Sequence, residues 1–188
     1  MTSERFKRAY EIAATQAGHL SRAQALSVGI SDELLHHYVR IGLLERIGRG
    51  VFRLAMYPTE DHEDLAASWL WSKQKGVFSH QTALSLFDLS DLLPAKKHMT
   101  VPVSWARRRI RIPRGIVVHY ADLTPTEITS FGPVPVTVPM RTIIDCVASG
   151  VDERAVERAI RQATRRRLFS RRDLSSALRT ATRKLPTG

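Results

Sequence analysis

The chain has 188 residues, 43% of them hydrophobic, with 29 Lys and Arg against 18 Asp and Glu and a formal net charge of +11. That length holds one large domain or two small ones, and the apolar share is enough for a buried core, which excludes a mainly disordered chain. A single cysteine, Cys146, excludes a disulfide scaffold and a cysteine-based zinc site. No apolar run approaches the roughly 20 residues of a membrane span, and residues 1–14 mix charges of both signs without the apolar stretch of a signal peptide. A cytoplasmic protein without a membrane partner is expected.

The first predicted element is a helix over 3–17, with Ser3 as N-cap, Phe6, Tyr10, Ile12, Ala13 and Ala17 as its apolar positions, and Gly18 as its stop. Ser21 caps a short helix over 22–27. Ser31 caps a third helix of about eleven residues, in which Leu34, Leu35, Tyr38 and Ile41 fall at helical spacing and Asp32 and Glu33 favour the first turn. Residues 43–54 form two short alternating runs around Gly48-Arg49-Gly50, the pattern of a β-hairpin. Three helices followed by a glycine-tipped hairpin make a winged helix-turn-helix over residues 1–57.

Residues 58–188 read as a second, α+β domain. A helix capped by Thr59 or Asp61 runs to about Lys73, with Leu65, Ala66, Trp69 and Leu70 inward, and Ser79 caps another to about Phe87. The β-branched runs 98–102 and 116–120 read as strands, and 128–131 with 134–138 as a hairpin around Gly132-Pro133. Pro139 starts a helix to Gly150, a second runs from Val151-Asp152 to about Arg166, and Ser170 caps a third from about Arg171 to Thr182, before a frayed tail over 184–188. The expected fold class is α+β: an N-terminal winged helix-turn-helix, then a small antiparallel sheet with C-terminal helices.

The charge is uneven along this plan. Residues 1–56 carry 8 basic against 5 acidic side chains, 57–104 carry 4 against 6, 105–145 carry 6 against 3, and 146–188 carry 11 against 4. Such arginines suit a phosphate backbone, because each neutralised phosphate releases counterions; a merely solvated, solubilising surface is the alternative. In the winged part, removing the core positions of the third helix leaves Asp32, Glu33, His36, His37 and Arg40 outward. Arg40 fits bidentate pairing with guanine or phosphate, and His36 and His37 donate or accept hydrogen bonds. Ser31 has two open roles, cap and phosphate contact. In the wing, Arg49 at the tip suits minor-groove insertion or a phosphate clamp, since its flanking glycines permit close approach; Arg46 and Arg53 are further candidates. Arg22 and the positive end of its helix suit a phosphate. Arg107, Arg108, Arg109, Arg165, Arg166, Arg167, Arg171 and Arg172 are candidates for a second contact.

Catalytic signals are weak. Among seven histidines none forms the His-Glu-x-x-His zinc motif. No glycine-rich phosphate loop occurs, and Ser79-His80 as sequence neighbours do not make a triad. Cys146, beside Ile143, Ile144 and Val147, reads as a buried small apolar residue, and Arg141 with Asp145 as a helical i,i+4 pair. No catalytic residue, cofactor or metal is expected.

Four segments in order resemble a known family. Arg46-Ile47-Gly48-Arg49-Gly50-Val51-Phe52-Arg53-Leu54 is similar to the end of the winged domain in AbiEi-type antitoxins of bacterial toxin–antitoxin systems. Tyr57-Pro58 then precedes Glu63-Asp64-Leu65-Ala66-Ala67. Ser79-His80-Gln81-Thr82-Ala83-Leu84-Ser85-Leu86 resembles the family's Ser-His-x-Ser/Thr-Ala-Leu-x-Leu segment. The stretch 136–145, with Thr137, Pro139, Arg141, Thr142, Ile143 and Asp145, resembles its Val-Thr-x-Pro-x-Arg-Thr-Ile-x-Asp segment. The resemblance implies an autorepressor that binds inverted repeats in its own promoter, and an antitoxin that counters a nucleotidyltransferase-like toxin with its C-terminal domain. Covalent modification of the toxin, which would make the chain an enzyme, and a plain winged-helix regulator without a toxin remain open beside it. Some proteins with similar N-terminal parts continue into a nuclease-like domain, which is not expected within these 188 residues.

Overall fold

The computed structural model describes residues 4–59, 61–90 and 94–182; the expected Ser3 cap and the 184–188 tail lie outside them. Two compact units divide the chain, Met1–Lys75 with Gly132–Val134, and Gly76–Phe131 with Pro135–Gly188.

In the first unit, α1 (Glu4–Ala14) buries Ala9 and Ala13. The chain leaves it through Gly18, at φ +77°, where a Cβ would lie 2.6 Å from the Tyr57 ring, so both the turn and the packing require glycine. A short strand absent from the sequence reading follows, β1 (His19–Ser21). Ser21 then closes a capping box with Gln24 at the start of α2 (Arg22–Ser27). Ser31 Oγ accepts from the Leu34 N–H at 3.3 Å and caps α3 (Asp32–Arg40). This helix is two residues shorter than its spacing suggested: Ile41 is its C-cap and is 51% exposed. The hairpin is β2 (Leu44–Gly48) and β3 (Val51–Leu54), with Gly50 at φ +70° in its turn. Both β1 and β2 pair antiparallel with β3, which is therefore central in the order β1-β3-β2. Leu20, Ala25, Ile30, Leu35, Tyr38 and Phe52 share one core. Burying a leucine or isoleucine in this way contributes about 1.5–3 kcal/mol.

The next helix, α4 (Glu63–Trp71), begins later than the Thr59 or Asp61 cap implied. Its N-cap is His62, left-handed at φ 64° and without a side-chain cap bond. Leu65, Ala66 and Leu70 are buried and Trp69 is half-buried.

The second unit opens on β4 (Val77–Phe78), a two-residue strand that sequence did not show, and α5 (His80–Leu86). It continues through β5 (Lys97–Val101), β6 (Ile116–Tyr120), β7 (Ile128–Phe131) and β8 (Val134–Thr137) to α6 (Pro139–Ala148), α7 (Glu153–Arg165) and α8 (Arg171–Thr182). The sheet order is β6-β5-β4-β8-β7. The expected antiparallel sheet is mixed: β4 runs antiparallel to β5 but parallel to β8, and β5 runs parallel to β6. The reason lies in the connections, since 102–115 is a crossover long enough to return along the strands rather than a tight turn. Leu84, Leu89, Ile143, Cys146, Val156 and Ala159 form the helical core of this unit.

Candidate nucleic-acid interface

Burying Leu35 and Tyr38 turns the opposite face of α3 to solvent, and His36, His37 and Arg40 are exposed on it. One guanidinium nitrogen of Arg40 lies 3.2 Å from His37 Nδ1, which ties these two side chains of α3 together. Arg22 is not free: its Nε donates to Asp32 Oδ1 at 2.7 Å and its Nη2 to Oδ2. That fork holds the Asp32 carboxyl below the usual range and neutralises the one acidic group that the sequence placed nearest the helix start. A phosphate arriving here would share Arg22 with Asp32.

The three wing arginines part company. Arg46 and Arg49 are exposed, and Arg49 stands at the tip beside Gly50. Arg53 is only 8% exposed. Its guanidinium bonds Glu63 Oε2 at 3.1 Å, the Tyr57 carbonyl at 2.9 Å and the Leu54 carbonyl at 3.3 Å. These bonds direct Arg53 to Glu63 at the start of α4 rather than to solvent.

In the second unit, Arg107, Arg108, Arg109, Arg165, Arg166, Arg167, Arg171 and Arg172 are all exposed. They do not form one cluster of equivalents. Arg108 lies over the Trp105 ring at 5.5 Å, a cation–π contact. Arg166 donates to the Phe87 carbonyl and so closes the C-terminal end of α5. Arg165 ends α7, Arg167 is left-handed at φ 57° in the turn after it, and Arg171 and Arg172 open α8.

Sequence reasoning missed a polar centre in this unit. His80, on α5, stacks on His119 of β6 with ring centroids 3.5 Å apart. His98 Nδ1 and His119 Nε2 are 3.0 Å apart in nearly parallel rings. Thr100 donates to Ser79 Oγ at 2.8 Å, and Ser79 Oγ lies 2.9 Å from His80 Nδ1, so the hydroxyl and the imidazole share one hydrogen bond. Burial, together with the neighbouring imidazoles, lowers His80 to about 3 and His119 to about 4. Nearby in sequence only Ser79 and His80 are neighbours; the strand pairing brings the others in. Ser79 is completely buried, so it presents no nucleophile to solvent. Burial raises the Cys146 thiol to about 12, which leaves it uncharged and unreactive at neutral pH.

Arg141 pairs with Asp145 at 2.8 Å, as the i,i+4 spacing suggested, and also with Glu127 at 2.6 Å. Asp145 Oδ2 is buried without a hydrogen-bond partner among the described residues. Among the described residues no group of three or more His, Cys, Asp or Glu side chains could hold a metal ion, and no helix is long and apolar enough to cross a membrane.

No curated protein matches the chain. A crystal structure of the RV2827C protein from Mycobacterium tuberculosis is similar at 14% identity and a TM-score of 0.48, over 85% of this chain and 72% of that one. The family model described as "Transcriptional regulator, AbiEi antitoxin" matches residues 7–55, which run from within α1 to the end of the wing. Residues 7–55 are a domain of the AbiEi antitoxin family of transcriptional regulators.

Proposed function

We propose that residues 1–57 bind inverted repeats in the promoter of the chain's own operon as an autorepressor. We further propose that residues 58–188 counter a cognate nucleotidyltransferase-like toxin in the cytoplasm. The observation that carries the DNA reading is the exposed tip Arg49 combined with the open face of α3, on a domain whose family regulates transcription. Arg40, His36 and His37 supply the base-facing donors and Arg46 and Arg49 grip the backbone from the wing. Ser31 and Arg22 sit at the helix starts where a phosphate would approach. The exposed arginines of the second unit are the second contact, to DNA or to the toxin. The toxin reading rests on the family match and the resemblance of the second unit's segments.

Arg49→Ala tests the wing. Titrated with a duplex from its own promoter, the variant loses about 1–3 kcal/mol of binding if Arg49 reads a base, or about one unit of salt slope if it holds a phosphate. Its melting temperature stays that of the wild type, because the Arg49 side chain is exposed and makes no hydrogen bond or ion pair among the described residues. Unchanged affinity and unchanged salt slope would remove the wing from the interface.

A further inference from the structure

Strand β6 forms one edge of the five-stranded sheet, and its hydrogen bonds show which way each residue faces. Lys97 donates to the Gly115 carbonyl and Ala121 donates to the Val101 carbonyl. In a parallel ladder this parity turns Val117 and His119 toward β5, and turns the N–H and C=O groups of Val118 and Tyr120 away from it. Neither residue has another hydrogen-bond partner among the described residues. Edge strands of natural proteins are guarded by lysine, proline, a bulge or a covering element. The β6 sequence Ile-Val-Val-His-Tyr has no lysine, proline or bulge, and Tyr120 at its end and Ile112 in the segment before it are exposed.

The crossover that delivers β6 is strongly basic. Residues 102–115 contain Arg107, Arg108, Arg109, Arg111 and Arg114 and no acidic residue. All five arginines are exposed, and none has a carboxylate partner among the described residues. Because β5 and β6 are parallel, this segment runs from the far end of β5 back to the start of β6.

We propose that the β6 edge is a docking site for an extended, acidic segment of a partner protein, which adds to the sheet as a sixth strand while the 107–114 arginines hold its carboxylates. Charge selects this occupant. A second copy pairing through β6 would bring two sets of five arginines together, which is repulsive. Nucleic acid would use the arginines but has no use for a row of open backbone donors and acceptors, whereas an extended peptide takes both. The inference deepens the second-contact reading of Arg107, Arg108 and Arg109 by assigning them to a protein. It does not depend on promoter binding by the winged unit, so failure of either leaves the other standing.

The test uses the full chain and a fluorescein-labelled decapeptide alternating glutamate with valine. A second decapeptide alternates glutamate with proline, with the same charge but half its backbone donors removed. Anisotropy should show the valine peptide binding about tenfold or more tighter than the proline peptide. Amide exchange at Val118 and Tyr120 should slow when the valine peptide is added and stay unchanged with a DNA duplex. The double variant Arg109→Glu with Arg111→Glu should weaken the valine peptide about tenfold or more at low salt. Equal binding of the two peptides would reduce the site to a charged surface and overturn strand addition, as would no binding at all. Protection of Val118 and Tyr120 by DNA, or protection that grows with protein concentration alone, would give the edge to nucleic acid or to a second copy and overturn it too.

Discussion

Each unit encloses one arginine, and the two are satisfied differently. Arg53 in the first unit meets a single carboxylate, Glu63, and two backbone carbonyls. Arg141 in the second meets two carboxylates, Glu127 and Asp145, while one Asp145 oxygen is left without a partner among the described residues. The first arrangement is nearly closed on itself and fastens the wing strand β3 to α4. The second carries surplus negative charge beside a histidine stack that burial keeps neutral. An enclosed arginine fixes the fold, and the arginines left outside are the ones free to meet a partner. The net charge of +11 therefore overstates what either unit offers a polyanion.

The largest effect that separates the units is expected at Arg141. Arg141→Met leaves two carboxylates facing each other in a largely enclosed site, and breaking a buried pair in this way costs about 3–5 kcal/mol. Urea unfolding should show that loss, and adding Asp145→Asn should restore part of it. Arg53→Met leaves one carboxylate, which is 27% exposed, and should cost less. Equal costs at the two positions would break the comparison.

Acid should come next. The His80 imidazole is held to about 3 and His119 to about 4, against an ordinary value of 6.5. The unfolded chain therefore binds protons that the folded chain refuses, so stability is full above about pH 6.5 and falls as the pH drops toward the folded values. Between pH 7 and pH 5 the loss is about 2 kcal/mol for each such histidine. Asp145 acts in the opposite sense, because desolvation raises its pKa and the folded chain gains a proton there on acidification. Comparing wild type with His80→Asn isolates the histidine part: the variant's urea midpoint should depend less on pH across this window. A parallel dependence in both proteins would show that the stack does not govern acid stability.

What sequence showed of these two regions follows from how local each cause is. The α2 limits, Arg22–Ser27, were legible because Ser21 and Gln24 cap the helix within four residues. The turn at Gly18 and the Gly-flanked wing tip were legible for the same reason. The strands β1 and β4 were not, because three and two residues carry no period, and their pairing partners, β3 and β8, lie far along the chain. The inward turn of Arg53 was not legible either, because the carboxylate that holds it, Glu63, stands ten residues on in α4. The mixed sheet escaped because strand direction depends on the path of the 102–115 crossover. The histidine centre escaped because His80, His98 and His119 come from three elements that only the sheet brings together.

The smallest effect divides the two roles of Ser31. Its hydroxyl accepts from the Leu34 N–H, and losing such a cap costs about 1 kcal/mol. Ser31→Ala should therefore lower the melting temperature of the protein whether or not DNA touches the residue. Ser31→Asp separates the roles, since aspartate caps a helix as well as serine does and also places a negative charge where a phosphate would come. With a purely capping serine, Ser31→Asp keeps the stability and lowers promoter affinity no more than Ser31→Ala. With a phosphate contact, Ser31→Asp keeps the stability but binds the promoter more weakly than Ser31→Ala, and the gap narrows as salt screens the repulsion. The second outcome would add the start of α3 to the proposed surface of Arg40 and Arg49, and the first would leave Ser31 to the helix alone.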